Sequence, residues 1–170
     1  MKQTIPPDRL YLSTIAADAP ETARAYGIGI ELAEYCTAYN MDTDFEQTNE
    51  LALSKLQDVP RAMLHAPFNE LCPSAIDPLV LDVTKKRYEQ AFRLAQGYGI
   101  KRMVVHSGYI PFVYFPEYFT ERSVGFWREY LKGLPDDFTV VLENVLEDSP
   151  DMLIDIVKGV GDPRFRLCFD

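Results

Sequence analysis

Residues 138–145 read Phe-Thr-Val-Val-Leu-Glu-Asn-Val (FTVVLENV). Four of the first five are β-branched or aromatic, the composition of a buried strand. The run then breaks at Glu143-Asn144. An acid at the end of an apolar strand is costly to bury unless it is paired or bound to a metal. The same event recurs on either side. Arg61–Leu64 ends in His65, Arg102–Val105 ends in His106, and Phe165–Phe169 ends in Asp170. The protein has two histidines, and each closes a strand-like run. In barrels of alternating strands and helices, chemistry-bearing groups sit at the carboxyl ends of the strands, so these four ends point to one mouth.

Reading outward from that strand, the chain alternates. Leu10–Ile15 is expected to be a first short strand. A helix follows over Pro20–Tyr26, opened by a first-turn proline and stopped by Gly27. Ile28–Ala33 reads as the second strand, and Cys36–Thr43 as a polar loop. Asp44–Gln57 reads as a helix with Phe45, Leu51, Leu53 and Leu56 as its apolar points, closed by Pro60. Arg61–Ala66 is the third strand and Phe68–Asp77 a long loop. Pro78 opens the clearest helix, running to Tyr98, with Val80, Val83, Ala91, Leu94 and Ala95 as a buried stripe at helical spacing and Gly99 as its cap. After the fourth strand come Ser107-Gly108-Tyr109 and the aromatic loop IPFVYFPEYF. The next helix, Glu117–Lys132, turns Val124, Trp127 and Leu131 inward. Ser149-Pro150-Asp151 is a helix start with a capping hydroxyl, a proline and a first-turn acid. Phe165–Asp170 is the sixth strand.

Strand and helix alternating six times means an α/β fold with a parallel sheet. No strand is followed by G-x-G-x-x-G or G-x-x-x-x-G-K, so a nucleotide-binding fold loses its main support. A complete barrel of eight such units needs about 250 residues. The 170 residues are therefore expected to form one domain, residues 1–170: a (β/α)8, TIM-type barrel truncated to about six strands, with strands seven and eight absent.

Composition narrows the partners. The chain is 47% apolar and 25% charged, ordinary for a globular domain, with a net charge of −9. That balance argues against broad binding to nucleic acid or anionic membranes. There is no apolar run of about 18 residues for a membrane span, and MKQTIPPDRL has no apolar core of a secretory signal. Cys36, Cys72 and Cys168 are far apart and odd in number, which suggests reduced thiols and a cytoplasmic protein. Cys168 is expected to be a buried strand residue.

His65, His106, Glu143 and Asp170 together offer two imidazoles and two carboxylates, a set suited to Zn²⁺ or Mn²⁺. Each has a plainer reading. Either histidine can be satisfied by a loop carbonyl, Glu143 by an ion pair across the barrel end, and Asp170 by solvent. Gly108 behind His106 allows close backbone approach to a ligand. Glu31, Glu34 and Glu147 are secondary acids, and Glu147 reads either as a solvated loop acid or as a substrate contact. The aromatics Phe112, Tyr114, Phe115, Tyr118 and Phe119 either line a pocket or pack the loop onto the rim.

Four short pieces carry a family resemblance: His65-Ala66-Pro67-Phe68, Val105-His106-Ser107-Gly108-Tyr109, Val141-Leu142-Glu143-Asn144-Val145 and Leu167-Cys168-Phe169-Asp170. In this order and placement the chain resembles the xylose isomerase-like barrel superfamily, in its sugar phosphate isomerase/epimerase branch, from Leu10 onward. The resemblance implies a divalent metal (Mn, Zn, Mg or Co) at the carboxyl face. The acid matching Glu143 would be a ligand and the proton-transfer group, and Asp170 a second ligand. His65 and His106 would ligate a second metal or bind substrate oxygens, and Glu147 and Tyr109 would join them in contacting substrate. The further ligands that strands seven and eight supply in the family are not in this sequence. The superfamily also contains the endonuclease IV type of abasic-site DNA repair enzyme, in which His65 and His106 would match zinc ligands. Here His-Ser-Gly stands where those enzymes have His-Pro-Gly, and Leu146-Glu147 replaces their Ala-Gly.

The expected function is thus a divalent-metal-dependent isomerase or epimerase of a small sugar, polyol or sugar phosphate. One alternative is the endonuclease IV-like activity. Another is an inactive barrel fragment that self-associates into a homo-oligomer through open sheet edges.

Overall fold

The structure, a computed structural model, describes residues 5–170. The first four residues of the MKQTIPPDRL stretch lie outside the described residues. After a 3₁₀ turn at Pro7–Arg9 the elements are β1 (Tyr11–Ser13), α1 (Ala19–Tyr26), β2 (Gly29–Leu32), α2 (Ala38–Asp42), α3 (Phe45–Leu56), β3 (Ala62–His65), α4 (Pro78–Gly97), β4 (Arg102–His106), α5 (Pro116–Leu131), β5 (Thr139–Glu143), α6 (Asp151–Val160) and β6 (Phe165–Cys168). All six strands are parallel and pair in sequence order, β1 to β6. This is the expected run of six strands of a TIM-type barrel. Among the described residues β1 and β6 are the two sheet edges.

Strand alternation divides the residues between two faces. Leu32, Leu64, Met103, Val105, Val140, Leu142 and Phe165 line the large core beneath the helices. Met63, Val104 and Val141 form a smaller cluster inside the curve of the sheet, with Tyr11 and Cys168 packed on it. Cys168 is half-buried, less enclosed than the sequence suggested. All three cysteines are free. Tyr11 lies across Gly29, where a Cβ would come within 2.4 Å of the ring. The Tyr11 hydroxyl accepts a 2.7 Å hydrogen bond from Arg102, whose guanidinium lies 5.4 Å from the ring centre.

Three local expectations change. The stretch 36–43 is not all loop: α2 forms one helical turn there, with Met41 buried. A single turn is too short to leave a periodic trace. In α3 the apolar points Phe45, Leu51 and Leu53 are exposed, and the helix buries Thr48 and Ala52 instead. In α4 Val83 is exposed, and the buried face runs through Thr84, Tyr88, Ala91 and Ala95. Tyr88 stacks on Trp127 of α5 at 5.4 Å, so an aromatic carries the packing that a valine was expected to carry. The helix starts follow the sequence more closely. Asp77 accepts the Leu79 N–H ahead of α4, and Ser149 accepts the Asp151 N–H ahead of α6.

Candidate metal centre

The last residues of β3, β4 and β5 are His65, His106 and Glu143. His106 and Glu143 are direct register partners across β4 and β5. Each side chain faces into the curve of the sheet because it lies an even number of residues from an interior position, Met63, Val104 or Val141. Their ligand atoms all lie within 4.8 Å of one another. His106 Nε2 is 2.9 Å and His65 Nε2 is 3.3 Å from the same oxygen, Glu143 Oε2. His65 is 6% and Glu143 5% exposed, so water does little to screen them.

The His65 tautomer follows from its other nitrogen. Nδ1 lies 2.7 Å from the Ala66 carbonyl oxygen, which can only accept, so Nδ1 carries the proton. In the neutral ring Nε2 then presents a lone pair to a carboxylate. That arrangement needs a cation between them, either a proton or a metal ion. Burial works to lower the His65 pKa, but the bond to Glu143, the nearby Glu31 charge and the Ala66 carbonyl together raise it. Burial likewise pushes the Glu143 carboxyl up, yet the bonds from His106 and His65 outweigh it and hold the pKa at about 2. Both plainer readings, the loop carbonyl and the ion pair, are present in the same cluster that can hold a metal. The donor types fit a divalent ion. A four-coordinate zinc with bonds of about 2.0–2.2 Å separates its ligands by roughly 3.4 Å, which the 3.3 Å spacing matches and the 2.9 Å spacing would have to widen to reach.

The surroundings fix these rings. Phe68 stacks on His106 at 4.3 Å and meets His65 edge-on at 5.6 Å, while the two imidazoles are 4.9 Å apart. Phe68 closes the His65-Ala66-Pro67-Phe68 piece of the sequence, but its stacking on His106 was not expected. Glu31, on β2, belongs to the same mouth. Its pKa is raised by burial and by the Glu143 and Asp170 charges, with His65 opposing. Asp170 lies two residues beyond β6, is exposed, and stands outside the three-residue group. Its backbone is tied to β5 by the Asn144 side chain, which donates to the Asp170 carbonyl at 3.3 Å and accepts its N–H at 3.2 Å.

Glu34 is not part of the three-residue group and is engaged elsewhere, accepting from Lys55 at 2.5 Å and from Thr14 at 2.7 Å. Glu147 is not a solvated loop acid. It accepts from Ser107 Oγ and from the N–H groups of Val145 and Leu146. Gly108 does not leave room for a ligand. A Cβ there would lie 2.7 Å from the Leu71 carbonyl oxygen, so the close approach is made by the loop after β3. The aromatic loop divides. Tyr109 and Tyr114 pack on buried Phe119, at 5.1 and 5.5 Å, while Phe112 and Phe115 are exposed.

No protein-family model matches this chain, and no curated protein matches it. Solved structures do. A Thermus thermophilus protein, TTHB071, from a crystal soaked with ZnCl₂, is 26% identical with a TM-score of 0.67, over 96% of this chain and 66% of its own. A D-tagatose 3-epimerase-like protein is 20% identical with a TM-score of 0.65, over 94% and 64%. Endonuclease IV from Thermus thermophilus is 18% identical with a TM-score of 0.56, over 97% and 62%. The chain spans less than two thirds of the length of each. Its fold is that of the xylose isomerase-like TIM barrels, carrying a His-His-Glu cluster at the carboxyl ends of three neighbouring strands.

Proposed function

We propose that this chain belongs to a divalent-metal-dependent isomerase or epimerase of a small sugar, polyol or sugar phosphate. The observation that carries the reading is the meeting of His65, His106 and Glu143 within 4.8 Å at the strand ends, in a fold also found in a D-tagatose 3-epimerase-like protein. A divalent ion held there supplies polarisation of a substrate carbonyl and an adjacent hydroxyl. Glu143, with its pKa at about 2, is ionised at neutral pH as a ligand must be. A carboxylate at this position would also take the proton at the carbon next to that carbonyl, the base role expected for Glu143. Both imidazoles meet Oε2, which leaves Oε1 free to turn toward substrate. His65 and His106 would hold the metal with Glu143, Asp170 would add a carboxylate at the same mouth, and Tyr109 would contact the substrate. Zinc and manganese are the first metals to try, with magnesium and cobalt next.

A second reading is metal-dependent cleavage at abasic sites in DNA. It is favoured by the inclusion of both histidines, which this reading requires, and by the position of Asp170 outside the group. The net charge of −9 and the acids Glu31 and Asp170 beside the cluster oppose it, since they repel a phosphodiester.

Elemental analysis of the purified chain beside Glu143→Gln tests the metal centre. One ion per chain, lost in the variant, is the expected result, and no metal in either would overturn the reading. Turnover of a ketose panel with added Mn²⁺, against nicking of abasic-site DNA, separates the two chemistries. The edges at β1 and β6 favour self-association, which sedimentation over a concentration series would reveal as a rising mass.

A further inference from the structure

Three strands supply the metal donors, and the loops that follow them converge on one dipeptide, Ser107-Gly108. Ser107 directly follows His106 and is 2% exposed. Its hydroxyl accepts the Tyr109 N–H at 3.0 Å and donates to Glu147 Oε1. Glu147 lies four residues beyond Glu143, and its other oxygen accepts the N–H groups of Val145 at 2.8 Å and Leu146 at 3.2 Å. From the opposite side the loop after β3 closes on Gly108, with the Leu71 carbonyl and the Cys72 Cα 2.7 and 3.0 Å from where a Cβ would be. Gly108 has a φ of +75°, a conformation that favours glycine. The ends of β4 and β5 are therefore cross-linked twice, by His106 to Glu143 and by Ser107 to Glu147.

We propose that Glu147 is a positioning residue rather than a substrate contact. With Ser107 and Gly108 it forms a clamp that sets the separation of His106 and Glu143 before any ion binds. This rests on the metal reading above. The physical argument concerns preorganisation. Loops placed after strands are free to drift, and a drift of a few tenths of an ångström alters a donor set that must hold a fixed geometry. A carboxylate accepting three hydrogen bonds is well suited to stop it. It is charged, which strengthens each bond, and its two oxygens bind different loops. Asp148, the neighbouring exposed acid, contributes similar charge without these bonds.

The test compares Glu147→Gln, Ser107→Ala and Asp148→Asn. Affinity for Zn²⁺ and Co²⁺ is measured by competition with a chelator. The Co²⁺ absorption spectrum is recorded, as are the imidazole ring resonances of the metal-free proteins at one pH. With two histidines in the chain, the ring spectrum contains two systems, and a His65→Gln variant assigns them. The expected result is a loss of about 10- to 100-fold in affinity for Glu147→Gln and Ser107→Ala, the range found for groups that orient metal ligands. A changed Co²⁺ spectrum and a displaced His106 ring signal accompany it, and Asp148→Asn matches the wild type in all three. Wild-type affinity, spectrum and ring signals in both clamp variants would overturn the proposal. So would an equal loss in Asp148→Asn, which would make the effect one of charge alone. If the wild type takes up no metal, the functional reading fails, and the metal-free ring signals decide the clamp on their own.

Discussion

Gly29 has no side chain because the Tyr11 ring occupies the place of one. A Cβ would sit 2.4 Å from that ring, and the ring is anchored by Arg102. Gly29→Ala is therefore expected to cost about 1–3 kcal/mol, the range for forcing an extra carbon into a packed interior, with the urea midpoint as the measurement. A wild-type midpoint would show that Tyr11 moves aside freely. At this scale the sequence was legible where a residue broke a pattern. His65, His106 and Glu143 each end an apolar run, and burying a titratable group there is costly without a partner. The clamp was not legible. Ser107 and Glu147 are forty residues apart, in loops with no periodicity, and their contact exists only once β4 and β5 pair in register. Gly108 was noticed for the right property, a missing Cβ, but the neighbour that uses the space is protein backbone.

Helices here are fixed by what they pack against more than by their own apolar residues. In α4, Val83 is 49% exposed while Tyr88 is 1% exposed between Trp127, Phe126 and Tyr130. Tyr88→Ala should cost about 3–5 kcal/mol, as for other large buried aromatics, while Val83→Thr should change stability by less than about 0.5 kcal/mol. Chemical denaturation of the pair measures the contrast, and similar losses would mean that the buried face has been misplaced. The sequence showed that a helix ran from Pro78 because proline, cap and period agree. It also placed most of the inward stripe, since Val80, Ala91, Leu94 and Ala95 are buried or packed against the core, but it counted Val83 inward and left out Thr84 and Tyr88, because neighbouring faces of one helix overlap in period and tertiary contacts decide between them. In α3 the same ambiguity left Phe45, Leu51 and Leu53 outside. The strands were read more accurately because a parallel strand covered on both faces is apolar throughout and leaves no face to choose.

For the molecule as a whole, the cluster at the mouth joins metal binding to folding. The donors come from β3, β4 and β5, residues 65, 106 and 143, and they meet only in the folded sheet. An ion that binds this arrangement and not the unfolded chain stabilises the fold by mass action, by about 2.7 kcal/mol at a concentration one hundred times its dissociation constant. For a chain of this length each kcal/mol raises the melting temperature by roughly 2–4 °C, so saturating Zn²⁺ or Mn²⁺ should raise it by about 5–10 °C. A chelator should return it to the metal-free value. Glu143→Gln should melt at one temperature with or without metal, since the carboxylate that both imidazoles face has gone. The expected signature is thus an interaction between variant and metal, read in a single set of thermal melts. A metal-induced rise that persists undiminished in Glu143→Gln would place the ion elsewhere on this acidic chain and remove the strand-end cluster as its site.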